Sequence, residues 1–92
     1  YSLAASRGRM ERKWWAPEGG IYFCIAIFPE LVQRCWPLYS IAMGAAVAES
    51  MNARGIQAKV RWINDVLLNG RKISGSLAET IYVPASGETW LL

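Results

Sequence analysis

Histidine is absent from the sequence, and cysteine occurs only twice. Cys24 and Cys35 show no ligand spacing typical of a metal site, so nothing in the sequence indicates a metal centre built from histidine and cysteine. Nothing in the spacing pairs the two cysteines with each other either. We interpret them as buried free thiols in a reducing compartment.

Long apolar runs are also missing. The longest, IYFCIAIF at residues 21–28, is far shorter than the roughly 20 residues that a helix needs to span a bilayer. No signal-peptide layout is visible. We therefore expect no membrane partner and a cytoplasmic location.

Charged residues are few, with ten Lys and Arg against seven Asp and Glu, for a net charge of +3. Arg7, Arg9, Arg12 and Lys13 place much of the positive charge near the start of the chain. Charge gathered in one short segment indicates a local anion site rather than a general nucleic-acid surface. We therefore do not expect nucleic acid as a partner of this segment.

Apolar residues, by contrast, make up 53% of the 92 residues and include five tryptophans. A chain of this length forms one small domain, and its few polar residues cannot cover so much apolar surface. Part of the surface is therefore expected to contact a neighbour. We interpret the chain as an internal piece of a longer protein, or as a segment that completes its sheet with another chain.

The predicted elements follow the order strand, helix and β-meander. Residues 21–28 are apolar on both faces, as expected of a central strand covered on each side. Residues 37–54 predict a helix, with Pro37 suited to its first turn and Gly55 to the left-handed position past its end. The other predictions are strands at 56–62, 66–68, 71–83 and 88–92, a type I′ turn at Asn69–Gly70 and a turn at 84–87. This order predicts an α+β fold, with a mixed, mainly antiparallel β-sheet backed by a helix.

The opening segment SRGRMERKWWAP, residues 6–17, is the first candidate site. A glycine between Arg7 and Arg9 lets the backbone approach a phosphate, while the guanidinium groups supply planar, bidentate donors. Trp14 follows at once and suits stacking on a nucleobase. The alternative is a solvated basic loop whose tryptophans pack into the core.

Two further candidates lie at the ends of neighbouring strands. Asn64 and Asp65 end the segment RWIND, where polar side chains often face a ligand, although ordinary turn chemistry explains them as well. Lys72 follows the tight turn, so the hairpin places it near Asp65, either as part of an anion site or as a cross-strand surface pair. Gly75 within a strand indicates a ligand or backbone that comes close.

In order and spacing, RGRMERKW, RWIND and K-x-x-G-x-L at 72–77 closely resemble the catalytic domain of the biotin–protein ligase family. The resemblance covers the chain from Ala5 to Leu77 and continues more loosely to Leu92. It implies a class II biotin/lipoate ligase-like catalytic core, incomplete in this chain. It also implies that residues 1–92 are part of a single catalytic domain, with an adenylate-binding loop at 6–20, a helix at 37–54 and a β-meander at 56–92.

The resemblance implies a two-step reaction. Biotin, the substrate, reacts with ATP to give biotinyl-AMP, and the biotinyl group then passes to a lysine of the biotin carboxyl-carrier domain of a carboxylase. Arginines, a lysine and Mg²⁺ can neutralise the charge that builds on the phosphate, so the protein needs to supply no nucleophile. The expected partners are that carrier domain, a small-molecule acid and ATP, and a homodimer is left open.

The resemblance also assigns roles to single residues. In the loop, Arg7, Gly8 and Arg9 match the adenylate-clamping segment, with Arg9 on the carboxylate and phosphate side. Arg12 is then a second phosphate contact, and Trp14 packs on the adenine side.

The residues on the strands receive roles in the same way. Asn64 and Asp65 match the nucleotide side of the pocket, with Asp65 on the Mg²⁺ side. Lys72 matches the lysine that holds carboxylate and phosphate during adenylation, which makes Lys72 and Arg9 the predicted catalytic residues. Gly75 belongs to the adenylate-binding set.

Several positions depart from the family pattern. Leu3, Ala4 and Ser6 replace Gln, Thr and Gly, and Leu3 cannot make the glutamine's contact with the ureido ring of biotin. Glu11 replaces a loop glycine, and Arg61 and Ile63 replace the Lys and Pro of the family's KWPND motif. These departures leave two alternatives open. One is a lipoate or octanoate ligase of the same fold, and the other is a non-catalytic relative that binds a small acid or nucleotide.

Overall fold

The computed structural model describes residues 7–92. Within that range the chain forms one α-helix and five strands, which follow two short 3₁₀ turns at Arg9–Glu11 and Gln33–Cys35. The elements are α1 (Pro37–Asn52), β1 (Ala58–Arg61), β2 (Asp65–Leu68), β3 (Arg71–Gly75), β4 (Thr80–Val83) and β5 (Glu88–Leu91). Every strand pairing is antiparallel, and α1 packs on β1 and β2, which confirms the α+β class.

The strands form two sheets, one of β1, β2 and β3 and one of β4 and β5. The prediction of one long strand over 71–83 is therefore wrong, because the chain leaves the first sheet after Gly75. At that point the Ser76 N–H donates to the carbonyl oxygen of Asn64 over 3.1 Å. Glu79 then exchanges two backbone hydrogen bonds with Leu92, and β4 of the second sheet begins five residues beyond Gly75.

Both tight turns of the meander form as predicted. Asn69 and Gly70 have φ angles of 50° and 76°, and Leu68 pairs with Arg71 across them, which confirms the two-residue hairpin. Residues 84–87 form the turn between β4 and β5.

Helix α1 begins at Pro37 as predicted and ends at Asn52, two residues before the predicted end. The Asn52 amide explains this end, because it donates to the carbonyl oxygen of Ala58 over 3.1 Å and accepts from the Ala58 N–H over 2.9 Å. The side chain thus joins the last turn of the helix to the start of β1. Gly55 lies between them with a φ of 79°, as the sequence predicted.

The core where the helix meets the sheet is small. Ala48, Ala58 and Val66 are buried, and Val47 and Met51 pack partly buried against them. Gly44 is also buried, with the backbone of Asn64 at 3.9 Å from the position that a β-carbon would take. This close approach sets where the RWIND segment lies relative to the helix.

Residues 21–28 do not form the central strand that the sequence predicted. Only Ile27 makes a bridge, exchanging hydrogen bonds of 2.8 and 2.9 Å with Leu91, and the segment has no ladder with the described strands. Both of its sides are largely uncovered, since Ile21 is 88% and Phe28 54% exposed. The prediction that Cys24 is buried is wrong for the same reason, whereas both cysteines are free thiols as predicted, with Cys35 partly buried.

Candidate functional site

The β2–β3 hairpin brings Asp65 and Lys72 together. The Lys72 Nζ lies 2.6 Å from Asp65 Oδ1, so the predicted proximity is confirmed. Leu67 stands opposite Lys72 but Val66 stands opposite Ser74, which leaves Ile73 as an extra residue in a β-bulge. Beyond the bulge, Asp65 stands opposite Gly75. Because directly opposed residues share a face, Lys72, Asp65 and Gly75 all lie on one side of the sheet.

Asp65 carries a second ion pair on its other carboxylate oxygen. Arg61 Nη2 lies 2.6 Å from Asp65 Oδ2, across the short turn that joins β1 to β2. Burial of Asp65 raises the pKa of its carboxyl group, but the hydrogen bonds and positive charges of Lys72 and Arg61 outweigh this effect and lower the pKa below its usual value. The carboxylate is therefore ionised at neutral pH, and together with the two cations it gives the cluster a net charge of +1.

Trp14, from the opening loop, completes the cluster. The Lys72 ammonium stands over the Trp14 ring, 4.7 Å from its centroid, at a distance typical of a cation–π contact. A β-carbon at position 75 would lie 3.0 Å from Lys72 Cε and 3.1 Å from Trp14 Cη2. Gly75 is therefore the residue type that lets the lysine stem and the indole ring meet over the strand.

The loop itself closes on its own backbone. The Gly8 N–H donates to the carbonyl oxygen of Arg12 over 2.7 Å. The backbones of Arg7 and Lys13 form an isolated antiparallel β-bridge. Met10 and Glu11 reverse the chain with φ angles of 57° each. The Arg7 guanidinium binds Glu79 at 2.8 Å, with 61% of the arginine side chain exposed.

Two loop residues have less defined surroundings. Arg12 is exposed, and among residues 7–92 no salt bridge involves it. The backbone of Arg9 lies in the 3₁₀ turn, while its side chain lies outside what the structure describes. The phosphate contacts predicted for Arg9 and Arg12 therefore stay predictions, and Leu3, Ala4 and Ser6 also lie outside the described residues.

Asn64 has a structural task next to the cluster. Its side-chain amide donates to the carbonyl oxygen of Ser76, and the Ser76 hydroxyl in turn donates to the carbonyl oxygen of Ser40 in α1 over 3.1 Å. This chain of contacts ties the helix, the RWIND segment and the end of β3 together. Asn64 also lines a cavity of about 370 Å³ that Trp36, Thr80 and Leu91 help to form. Its predicted contact with the nucleotide stays a prediction.

The sequence of this chain matches a family of known proteins over most of its length. A sequence model of the Biotin/lipoate A/B protein ligase family matches residues 4–89. The chain belongs to the biotin/lipoate A/B protein ligase family.

Named relatives are similar at 30–38% identity. The bifunctional ligase/repressor BirA of Bacillus spizizenii is 38% identical over 77 residues, which are 82% of this chain and 24% of that protein. Biotin–[acetyl-CoA-carboxylase] ligase of Paracoccus denitrificans is 33% identical over 79 residues, 83% of this chain and 33% of that protein. Biotin–protein ligase 2 of Arabidopsis thaliana is 30% identical over 82 residues, 83% of this chain and 25% of that protein. The chain thus spans about a quarter to a third of the length of these relatives.

A Mg²⁺ ion, as predicted beside Asp65 from the family resemblance, does not fit the geometry of that carboxylate. Each of its oxygens already has a cationic partner at 2.6 Å, and a divalent ion would lie beside two positive charges. Among residues 7–92, moreover, no three or more acidic or cysteine side chains stand together as a metal site. The helices in the same range are too short or too polar to cross a membrane.

Two residues of the site were not among the predicted ones. Arg61 was noted only as a departure from the family motif, although its place before a short turn leading to Asp65 is a local signal for an opposed pair. Glu79, the partner of Arg7, lies 72 positions away in the sequence. No local pattern could have revealed that pairing, because it depends on how the loop packs against the segment between β3 and β4.

Proposed function

We propose that the complete protein is a biotin–protein ligase, which activates biotin with ATP to biotinyl-AMP and transfers the biotinyl group to a lysine of a biotin carboxyl-carrier domain. The observation that carries this proposal is the meeting of three distant motifs at one point. Trp14 of the loop and Asp65 of RWIND both contact the ammonium of Lys72 in K-x-x-G-x-L, and Gly75 of the same motif leaves room for the lysine stem.

The charge of the cluster suits adenylation. A carboxylate must approach a triphosphate, so two anions have to be held together while negative charge develops on the α-phosphate. Lys72 has three N–H donors, and Asp65 accepts from one of them, which leaves two that can reach a ligand's carboxylate and phosphate. Arg7 likewise uses one Nη2 contact with Glu79 and keeps further donors of its guanidinium for an anion.

The protein residues in this proposal bind, orient and shield. The opening loop would cover the adenylate and exclude water from a mixed anhydride that hydrolyses readily. The names of the relatives support biotin as the acid. The β2–β3 hairpin holds Lys72 beside Trp14 of the opening loop. We place this reaction in the cytoplasm, where the free thiols would remain reduced.

The test is acid-dependent ATP–pyrophosphate exchange with the complete protein, using biotin, lipoate and octanoate in parallel. We expect exchange with biotin that is lost in Lys72→Ala. Arg71→Ala is the matched control, because Arg71 is an exposed cation next to Lys72 in β3 and is outside the cluster. The control variant should exchange like the wild type.

The other outcomes contradict the proposal in different ways. Exchange with lipoate or octanoate alone would keep the adenylation chemistry and replace the substrate. No exchange with any of the three acids, from a folded protein that still binds ATP, would make the protein a non-catalytic relative.

A further inference from the structure

We infer that Asp65 is a positioning residue that holds Lys72 for adenylation, that Arg61 orients the Asp65 carboxylate for this purpose, and that Asp65 is not a ligand of Mg²⁺. The inference rests on the proposed function, since it concerns the same lysine. It replaces the metal role that the family resemblance implied for Asp65.

The carboxylate of Asp65 is held at both of its oxygens. Asp65 is 9% exposed, and its two oxygens each receive a cation at 2.6 Å, Lys72 on Oδ1 and Arg61 on Oδ2. Charge-assisted contacts of this length are among the strong polar contacts of proteins. With Arg61 on one oxygen, rotation of the carboxylate is restricted, so the other oxygen stays directed at the Lys72 ammonium.

Asp65 and Trp14 confine the ammonium of Lys72 before any substrate is bound. Asp65 binds it from one side, the Trp14 ring lies 4.7 Å away on another, and Gly75 leaves room for its stem above the strand. A free lysine side chain has several rotatable bonds and loses substantial entropy when ordered. Ordering it before the substrate arrives lowers the entropic cost of binding two anions at one point.

The charges around Asp65 disfavour a bound metal ion. A Mg²⁺ ion on Asp65 would have to displace a cation or stand beside both, and among residues 7–92 no group of three or more acidic or cysteine side chains forms a metal site. With Lys72 and Arg61 in place, the cluster carries a net positive charge and attracts an anion instead of a metal ion. The described geometry thus favours an anion site organised by a buried aspartate.

The experiment compares Asp65→Asn with the wild type in the complete protein, by pyrophosphate exchange at varied biotin and varied Mg²⁺. We expect kcat/KM for biotin to fall on the order of 10- to 100-fold, as for a misplaced reacting group, while the Mg²⁺ concentration for half-maximal rate stays unchanged. A rise in the Mg²⁺ requirement that accounts for the loss of rate would overturn the inference.

Arg61 offers a second test that does not replace a buried residue, because 58% of its side chain is exposed. Arg61→Ala should lower kcat/KM for biotin, and Arg61→Lys should restore most of it, since lysine can still donate to Oδ2. Equal loss in both variants would contradict an orienting role.

A spectroscopic readout separates this inference from the proposed function. The ring of Trp14 should shift the Hε resonances of Lys72 upfield in a lysine-labelled NMR spectrum, and Lys72→Ala assigns the signal. We expect this shift to be lost in Asp65→Asn. If the wild type catalyses no exchange, the proposed function fails while loss of the shift still supports positioning. If the shift persists in Asp65→Asn, positioning is refuted whatever the activity.

Discussion

Replacing Gly75 by alanine tests whether the space above β3 is where Lys72 and Trp14 meet. The added β-carbon would lie 3.0 Å from Lys72 Cε, 3.1 Å from Lys72 Nζ and 3.1 Å from Trp14 Cη2. Carbon atoms in good contact stand about 3.5–4.0 Å apart, so these groups must retreat by a few tenths of an ångström. The flexible lysine would move more readily than the indole, and its contact with Asp65 would lengthen.

The expected cost in stability is modest and the expected cost in activity is large. Overpacking destabilises by about 1–3 kcal/mol, and the lower entropy of the unfolded alanine chain offsets about 0.4–1 kcal/mol of this. We therefore expect Gly75→Ala to lose about 1–2 kcal/mol in urea unfolding. Biotin-dependent pyrophosphate exchange should fall on the order of 10- to 100-fold, because the ammonium is displaced from its place among Asp65 and Trp14.

Gly44→Ala is the matched control for this prediction. Gly44 is also buried, but the closest atoms to its added β-carbon stand at 3.9 Å, an ordinary contact, and the residue lies inside helix α1. Alanine there should raise stability by about 0.5–1 kcal/mol and leave exchange unchanged. Wild-type exchange and an unshifted Lys72 Hε resonance in Gly75→Ala would refute the placement of Lys72 and Trp14 over this strand.

Three further predictions concern stability. The folded state lowers the pKa of Asp65, so the ion pairs stabilise the protein above the unfolded-state pKa of about 4 and lose their effect as pH falls through the lower folded value. Asp65→Asn should thus be less stable than the wild type in urea unfolding at pH 7, and the difference in stability should shrink below pH ~4. A difference that does not change with pH would refute the ion-pair account. Val66→Ala should lower the free energy of unfolding by about 2 kcal/mol, because Val66 is 1% exposed in the core between α1 and the sheet. A negligible change would mean that this contact is not the core. Gly70→Ala should lower the free energy of unfolding by about 1–2 kcal/mol in the same assay, because Gly70 has a φ of 76°. Unchanged stability would contradict the type I′ turn.

Features fixed by neighbouring residues were readable from the sequence. A type I′ turn requires two positive φ angles in a row, which Asn-Gly adopts more readily than most residue pairs. Asn69–Gly70 therefore defined the β2–β3 hairpin. The hairpin in turn placed Lys72 near Asp65 without any knowledge of the rest of the molecule. Pro37 marked the start of the helix because its missing N–H is harmless only there.

Predictions that depended on distant partners were less accurate. Residues 21–28 have the composition of a central strand, but composition does not say which strands lie beside them. With the described residues 7–92, this segment forms only the Ile27–Leu91 bridge. The predicted strand at 71–83 was divided because Ser76 binds Asn64 at the end of the first sheet, whereas Glu79 binds Leu92 at the end of the second.

The sequence by itself determined the class of fold, the hairpin and the family, because these follow from local backbone preferences and from motifs in a fixed order. Only the tertiary structure decided what the site residues do to one another. The bulge at Ile73 places Gly75 on the face of Lys72, and the packing of the opening loop brings Trp14 to that same face. The pairing of Arg7 with Glu79 arises in the same way. These contacts join residues far apart in the chain, and their geometry is set by packing rather than by any local preference.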